Sequence, residues 1–436
     1  MVRNSRKITL AAAGLAAFAL TLTACGGGGG EATPNDGATD APAGEVVEEN
    51  GVPASTIGLH IEGVEVEAWS AAPFGALRLW DNGTAWSQIE TEKGVFNWAN
   101  LDGAIANANS KGLTDILMVL GTTPEWAASE KTDPDSVYPP YPGANTVPAN
   151  LEDWDNWVRT VATRYKGQIP HYQIWNEASY TSFYNGTPEE MAELTDRAYK
   201  IIKEIDPDAT VVSASPALRL KNAFDRFFPA YLAALAERNW PVDVIAIHTY
   251  PNADGDPSDR GEFIAATRAA LTAAGAPETL ELWDTELNYG LAGPGPDRPR
   301  QEITGARAAG FVVRSYIDDL RYGISRSYWY IYTQKPYDLL GVQAFPGSDG
   351  EQGFYALDNW VTGAVFNDCT EANGAVTCNF TKAGTNWIVT WAQTGEVAST
   401  APAGAQLVCD PLSNCQELRE GQEFTLTEVP VRIYLQ

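Results

Sequence analysis

The sequence predicts a (β/α)8 barrel followed by a small C-terminal β-sandwich, and three observations lead there. From residue 52 to about 335, short apolar runs alternate with amphipathic segments, and the runs are continuous, as strands buried on both faces require. Eight such runs occupy about 280 residues, the size of a barrel of eight strand-helix units. After about residue 360 the texture becomes one of alternating strands broken by Gly, Asn and Pro, which suits an antiparallel sheet. A chain of 436 residues with 44% hydrophobic and 11% aromatic content has enough apolar surface for a large core. A doubly wound open sheet shares the alternation, because counting strands does not establish closure.

The first element is not part of the fold. Arg3, Arg6 and Lys7 precede an apolar run from Ile8 to Leu22 that ends in small residues, the pattern of a secretory signal too short to span a bilayer. It closes on "LTAC", which resembles the lipobox of bacterial lipoproteins; the resemblance implies cleavage after residue 24 and lipidation of Cys25. Residues 26–50 hold almost nothing that could pack and read as a flexible tether holding the domain roughly 25 to 30 Å from the membrane. The expected location is the outer face of a bacterial cytoplasmic membrane, with the anchor as the sole membrane contact. Losing residues 1–24 removes three positive charges and moves the formal charge from −27 to −30, which opposes nucleic acid and anionic headgroups.

The eight strand candidates are "TIGLHI" (56–61), "GALRLW" (75–80), "DILMVL" (115–120), "HYQIW" (171–175), "TVVSAS" (210–215), "DVIAIHTY" (243–250), "TLELWDTE" (279–286) and "RSYWYIY" (326–332). Helical stripes lie between them. One carries Trp154, Trp157, Val158, Val161 and Tyr165; another opens with Thr187 as N-cap and Pro188 as first helical residue. The predicted domains are a barrel over 51–345 and a β-sandwich over 346–436. With Cys25 assigned to the anchor, Cys369, Cys378, Cys409 and Cys415 remain, all in the last 68 residues. An even count in an exported chain points to two disulfides. Three connectivities exist, of which the two local pairs, Cys369–Cys378 and Cys409–Cys415, are favoured. For zinc the spacings are too wide and no histidine is near.

Functional groups of such barrels gather at the C-terminal ends of the strands. Glu177 stands just past the fourth strand and Glu286 at the end of the seventh. These strands lie on opposite sides of a closed barrel, so the two carboxylates can face each other across its mouth. Two carboxyl groups flanking a sugar are what glycoside hydrolysis needs: an acid for the leaving oxygen, and a carboxylate for the anomeric carbon. A lone strand-end Glu is more often a helix-start cap or an ion-pair partner.

The stretch "RLWDNGTAWSQIETEKGVFNWANLD", then "GTTPEWAA", "IWNE", "HTY" and the "TE" of the seventh strand resemble glycoside hydrolase clan A, closest to glycoside hydrolase family 39 and its relatives. The resemblance covers roughly residues 56–335. It implies retention of anomeric configuration, with Glu177 as general acid/base and Glu286 as nucleophile. The family usually reads "WNEP" followed by Asn, where this chain has Ala178 and Ser179; that departure bears on which sugar is held.

The supporting residues follow from chemistry and resemblance together. Asn176 is placed to bond a sugar 2-hydroxyl, and Arg78, inside an apolar strand, to support Glu286. Tyr250 is placed to bond Glu286, His248 to bond a sugar hydroxyl, and His60 is a weaker candidate for the same task. Trp126 and Trp329, or its neighbour Tyr330, offer flat faces for sugar rings. His171 starts its strand at the opposite face and reads as structural. The three histidines make no metal site, and no cofactor is implied. The Pro- and Gly-rich "EKTDPDSVYPPYPGAN" between Glu130 and Asn150 reads as a loop walling the cleft, or as a surface loop without a role.

A glycosidase of xylosides, arabinosides or related glycans is thus expected, with carbohydrate as its partner and the oligomeric state open. A sugar-capturing lipoprotein, or a barrel that binds glycan without cleaving it, shares the anchor, acidity and aromatics, but binding alone needs no carboxylate pair. No Gly-x-Ser-x-Gly elbow supports serine hydrolase chemistry, and the run Gly26 to Gly30 has no flanking strand and helix to make a phosphate cradle.

Overall fold

The computed structural model describes residues 50–129, 142–252, 255–293 and 299–436. The signal, Cys25 and the tether lie outside the described residues, as does most of the 130–145 loop. Eight parallel strands close in chain order: β1 (Ile57–Ile61), β2 (Ala76–Leu79), β3 (Ile116–Val119), β4 (His171–Gln173), β5 (Thr210–Val212), β6 (Val244–His248), β7 (Glu281–Leu287) and β8 (Arg326–Tyr332). Closure rests on β1, whose Gly58 pairs with Ala76 of β2 and with Tyr328 of β8. An open sheet is therefore excluded. The apolar runs are continuous because both faces are covered: β1, β2, β3, β4 and β6 are buried at every position.

The helices are α1 (Trp86–Ile89), α2 (Ala99–Ser110), α3 (Leu151–Arg164), α4 (Pro188–Ile205), α5 (Lys221–Glu237), α6 (Arg260–Ala273), α7 (Gly305–Arg321) and α8 (Asp349–Val361). The starts of α3 and α4 are written locally. Asn150 accepts from the Glu152 amide at α3, while Thr187 and Glu190 form a reciprocal capping box behind Pro188 at α4. The α3 stripe buries Trp154 and Trp157 beside Trp86 of α1, with the Trp86 and Trp157 rings stacked at 6.2 Å. Trp154 in turn lies 6.3 Å from Trp175, whose Nε1 donates to the Phe183 carbonyl at 2.9 Å. This aromatic layer anchors the end of β4, from which Asn176 and Glu177 project. Gly121 is required there, since a Cβ would stand 2.6 Å from the Trp175 ring.

The register between β6 and β7 shifts near their ends: Ile247 pairs with Asp284, but His248 pairs with Glu286. Thr285 is the extra residue of a bulge. Along an unbroken strand Asp284 and Glu286 would share a face. Instead Asp284 turns outward to Arg260 of α6 at 2.9 Å, and Arg260 also pairs with Asp319 of α7, while Glu286 turns into the barrel. This buried triad ties two helices to the strand that carries the site.

The C-terminal domain begins at Val365, later than the expected 346, because 349–361 completes the eighth unit as α8, packed on α7. Strands β9 (Val365–Ala372), β10 (Ala375–Lys382), β11 (Thr385–Ala392), β12 (Val397–Thr400), β13 (Ala405–Cys409), β14 (Cys415–Glu417), β15 (Glu423–Leu426) and β16 (Val431–Leu435) form a six-stranded antiparallel sheet and a β12–β15 ribbon. Phe380, Trp387, Val389 and Trp391 on one sheet face join the core that runs through the barrel helices. At this seam Trp387 Nε1 donates to the Trp360 carbonyl of α8 at 3.1 Å. The disulfides are the local pairs, Cys369–Cys378 between β9 and β10 and Cys409–Cys415 between β13 and β14.

Candidate active site

At the C-terminal mouth of the barrel lies a cleft of about 370 Å3, at the small end of the roughly 300–1,000 Å3 usual for ligand sites. Its lining includes Asn176, Glu177, Tyr180, Arg219, Tyr250, Glu286 and Tyr330. Beneath it sits Arg78, fully buried, whose guanidinium engages four side chains. Nε donates to Gln173 Oε1 at 2.8 Å, Nη1 to Glu286 Oε1 at 2.7 Å and His60 Nε2 at 3.1 Å, and Nη2 to Asn176 Oδ1 at 2.8 Å. The apolar strand tolerates an arginine because its charge and donors are met on several sides.

The two carboxylates are unlike. Glu286 keeps 7% of its side chain exposed; besides Arg78 it accepts from the Tyr250 hydroxyl at 2.9 Å and lies 3.5 Å from His248 Nδ1. Glu177 keeps 17% exposed and has His248 Nδ1 at 3.2 Å. Burial raises both carboxyls. Glu177 is pushed up to about 7 against the pull of Arg219 and Arg78, and Glu286 is raised with Arg78 opposing. The donors converge on Glu286, which favours the negative charge there and the shared proton on Glu177. Burial outweighs the charge of Glu286 at His248 and, with Arg78, pushes the imidazole down to about 3, leaving it neutral.

Ligand atoms of Glu177, His248 and Glu286 all lie within 4.8 Å of one another. That is also a spacing for a metal, but Arg78 already holds Glu286 and compensates its charge, so the donor set fits a proton and a sugar better than a cation. Glu177 is held at φ 42°, in the left-handed region that non-glycine residues rarely occupy. Its amide donates to Ser215 Oγ at 3.0 Å, and the Ala178 amide to the Ser215 carbonyl at 2.9 Å, so the chain just past β5 pins the strained turn.

Asn176 and Tyr250 stand in the cleft wall, as their strand-end positions suggested, but four expected sugar contacts lie elsewhere. His248 is 1% exposed and bridges the carboxylates instead of facing a sugar. His60 is buried behind Arg78, its Nε2 accepting from Arg78 Nη1 at 3.1 Å with the Thr285 carbonyl oxygen 3.2 Å away. Trp329 is fully buried against Phe354 at 5.9 Å and Tyr289 at 6.1 Å, because the pleat of β8 turns Tyr330, not Trp329, to the cleft. Trp126 is not among the lining residues of the cleft; its Nε1 donates to the Glu90 carbonyl at 2.6 Å and its ring meets Trp86 edge-on. His171 pairs with Asp115 at 3.3 Å at the start of its strand.

Residues that strand reading passed over include Gln173, a polar side chain inside a buried strand, and Tyr180 and Arg219, which follow the ends of β4 and β5. An uncharged polar residue amid an apolar run was the available signal for Gln173. Tyr330 Oη donates to Asp81 Oδ2 at 2.6 Å, closing one wall.

Comparison with known proteins agrees with this geometry. Residues 76–333 match the model of glycosyl hydrolases family 39. A family 39 glycoside hydrolase from the gut symbiont Bacteroides cellulosilyticus WH2 superposes with a TM-score of 0.63 at 16% identity, over 88% of this chain and 81% of that one. A glucosidase from Croceicoccus marinus has a TM-score of 0.60 at 14% identity, over 88% and 97%. CelM2, a bifunctional glucanase-xylanase from a metagenome library, has 0.59 at 12%, over 88% and 96%. At such identities these structures speak for the fold, whereas the family match spans more than half of the chain and includes both strand-end glutamates. The chain belongs to glycoside hydrolase family 39 and is a glycosidase.

Proposed function

We propose that this glycosidase works by double displacement with retention, Glu177 serving as general acid/base and Glu286 as nucleophile. The observation that carries this is the separation and inequality of the two carboxylates, with oxygen atoms within 4.8 Å of each other. Retaining enzymes hold their carboxyls about 5–5.5 Å apart, inverting ones roughly 6.5–9.5 Å, so that a water fits between. In the first step Glu286 attacks the anomeric carbon while the Glu177 proton passes to the departing oxygen. In the second, Glu177 takes a proton from water as the glycosyl ester is broken.

Arg78 accounts for a further contact. A guanidinium has only donors, so it fixes Oδ1 of Asn176 toward itself and leaves the amide NH2 to donate toward the cleft. A sugar 2-hydroxyl beside the nucleophile suits that donor and strengthens its bond in the transition state.

The substrates proposed are xylosides, arabinosides or related glycans; the relatives named for glucosidase and glucanase-xylanase activity add glucosides to the trial set. The enzyme is proposed to act on the outer face of the cytoplasmic membrane, tethered through Cys25. The basic and apolar N-terminus supports this, and so do two disulfides, which persist in oxidising compartments. Cys25→Ala is expected to move the protein from the membrane fraction to the soluble one.

The functional test is hydrolysis of 4-nitrophenyl α- and β-glycosides, pyranose and furanose, by residues 51–436, with NMR following the first-formed anomer. Glu286→Gln should abolish turnover. Glu177→Ala should suffer most on poor leaving groups and recover partly with azide. Inversion at the anomeric carbon, or full activity in Glu286→Gln, overturns the assignment.

A further inference from the structure

We infer that a buried hydrogen-bond relay, Arg78–Gln173–Thr285, fixes the tautomer of His248 so that its single N–H points from Nδ1 at the two carboxylates and follows the negative charge between them. This makes Gln173 and Thr285 positioning residues, and His248 a switchable donor. The inference rests on the roles proposed for Glu177 and Glu286 only in its second half. The tautomer itself follows from the hydrogen-bond partners together with the single negative charge held by the carboxylate pair.

The chain of constraints starts at a cation. Arg78 can only donate, so the atom of Gln173 that meets its Nε at 2.8 Å is the carbonyl Oε1. The Gln173 amide NH2 must then face the other way, where it donates to Thr285 Oγ1 at 3.3 Å and to the Trp175 carbonyl at 3.4 Å. Thr285 Oγ1, with one lone pair engaged, has its proton to place. Its choices are His248 Nε2 at 3.1 Å and the Ile247 carbonyl at 3.4 Å. The 3.1 Å contact can run in either direction, so the charge facing Nδ1 decides it: with the imidazole proton on Nδ1, aimed at the carboxylates, Nε2 is the acceptor of the Thr285 proton.

The alternative would send the threonine proton to Ile247 and leave the Nδ1 lone pair facing both Glu177 Oε1 at 3.2 Å and Glu286 Oε2 at 3.5 Å, a pair that shares one negative charge. Repulsion from that charge disfavours it. Gln173, Thr285 and His248 are all buried, so water does not relieve a wrong choice. The bulge on β7 makes the relay possible, because it turns consecutive residues, Thr285 and Glu286, toward the barrel axis.

His248 Nδ1 is 3.2 Å from Glu177 Oε1 and 3.5 Å from Glu286 Oε2. In the resting enzyme Glu177 is protonated and Glu286 is the anion. When the Glu286 oxygen bonds to the anomeric carbon and the Glu177 proton leaves with the departing oxygen, the negative charge has passed to Glu177. The same N–H then serves Glu177 without any proton leaving the imidazole. Arg78 and Tyr250 bond Glu286 from below and from the side at 2.7 and 2.9 Å.

The test is nitrogen-15 NMR of the full domain labelled at histidine, at pH 7. With only three histidines in the chain, the His248 signals are assigned by their loss in His248→Asn. The wild type should show a protonated Nδ1 and an unprotonated, hydrogen-bonded Nε2. Gln173→Glu, nearly isosteric, accepts from Thr285 instead of donating to it, so His248 should move its proton to Nε2. That variant should lose roughly 10²-fold in kcat on a 4-nitrophenyl glycoside, the scale of one lost oxyanion donor, with KM little changed. Thr285→Val should shift the Nε2 resonance as its donor disappears, and Thr285→Ser should restore it.

A wild-type His248 protonated at Nε2 overturns the relay, and so does an Nε2 resonance unmoved by Thr285→Val. The two proposals fail separately. Nδ1 protonation in a protein that cleaves no glycoside leaves the relay standing and removes the functional assignment, whereas hydrolysis by an enzyme protonated at Nε2 does the reverse.

Discussion

Glu177→Gln should stabilise the protein in a pH-dependent way, and the size of the effect follows from the site. Burial holds the Glu177 carboxyl at about 7 against an ordinary 4.5. At about 1.36 kcal/mol per pKa unit, its ionised form costs the folded state roughly 3 kcal/mol. That is an upper figure, since 17% of the side chain remains open. Below pH 4.5 the group is protonated in both folded and unfolded chains and contributes nothing. Between 4.5 and about 7 the folded state binds more protons than the unfolded one, so stability falls as pH rises, and above about 7 the full cost is present. Glutamine mimics the protonated acid and escapes it.

The assay is urea denaturation of wild type and Glu177→Gln at pH 4.5, 6 and 8, comparing differences between the two proteins so that other titrations cancel. The gain should be near zero at the lowest pH and approach roughly 3 kcal/mol at pH 8. The basic limb of kcat/KM on an aryl glycoside should fall near the same pH, because it reports the free enzyme's acid. A stability difference that is flat with pH would refute the reasoning, showing that burial is not what raises the acid.

Other consequences concern the residues around the pair. Arg78→Met should destabilise by roughly 3–5 kcal/mol, since it strands the buried charge of Glu286, and Arg78→Lys should keep the charge but not the four-way contact; thermal melting and hydrolysis read both. Trp329→Ala should cost about 3–5 kcal/mol as a core cavity, whereas Tyr330→Phe should leave the melting temperature nearly unchanged and alter KM through the lost Asp81 contact. The opposite pattern would return Trp329 to the sugar. Reducing the disulfides, which span sequence separations of 9 and 6, should cost about 2–3 kcal/mol each and loosen the sheet, while hydrolysis by the barrel persists under native conditions.

Much of the architecture was legible in the chain because it is governed by local periodicity. The eight apolar runs, the Thr187 cap and the two neighbouring cysteine pairs each express a rule operating over a few residues. Glu177 and Glu286 were equally visible, since a carboxylate at the end of a buried strand has few places to go. The eighth unit was harder to read: α8 begins well after β8, and the intervening segment masked the helix that delays the sheet domain to Val365.

What the sequence determined by itself was therefore the set of strands, their order and the two acids at the mouth. The tertiary structure alone decided which way the neighbouring side chains face. A one-residue bulge at Thr285 sends Asp284 to Arg260 and Glu286 to Arg78, and the pleat of β8 hides Trp329 while presenting Tyr330. His248 bridges two acids drawn from strands far apart in the chain. Facing in a sheet alternates every residue, so a single inserted position reverses it. The acidity of Glu177 likewise depends on burial and on the charges of Arg219, after β5, and Arg78 of β2, which only the tertiary fold brings together.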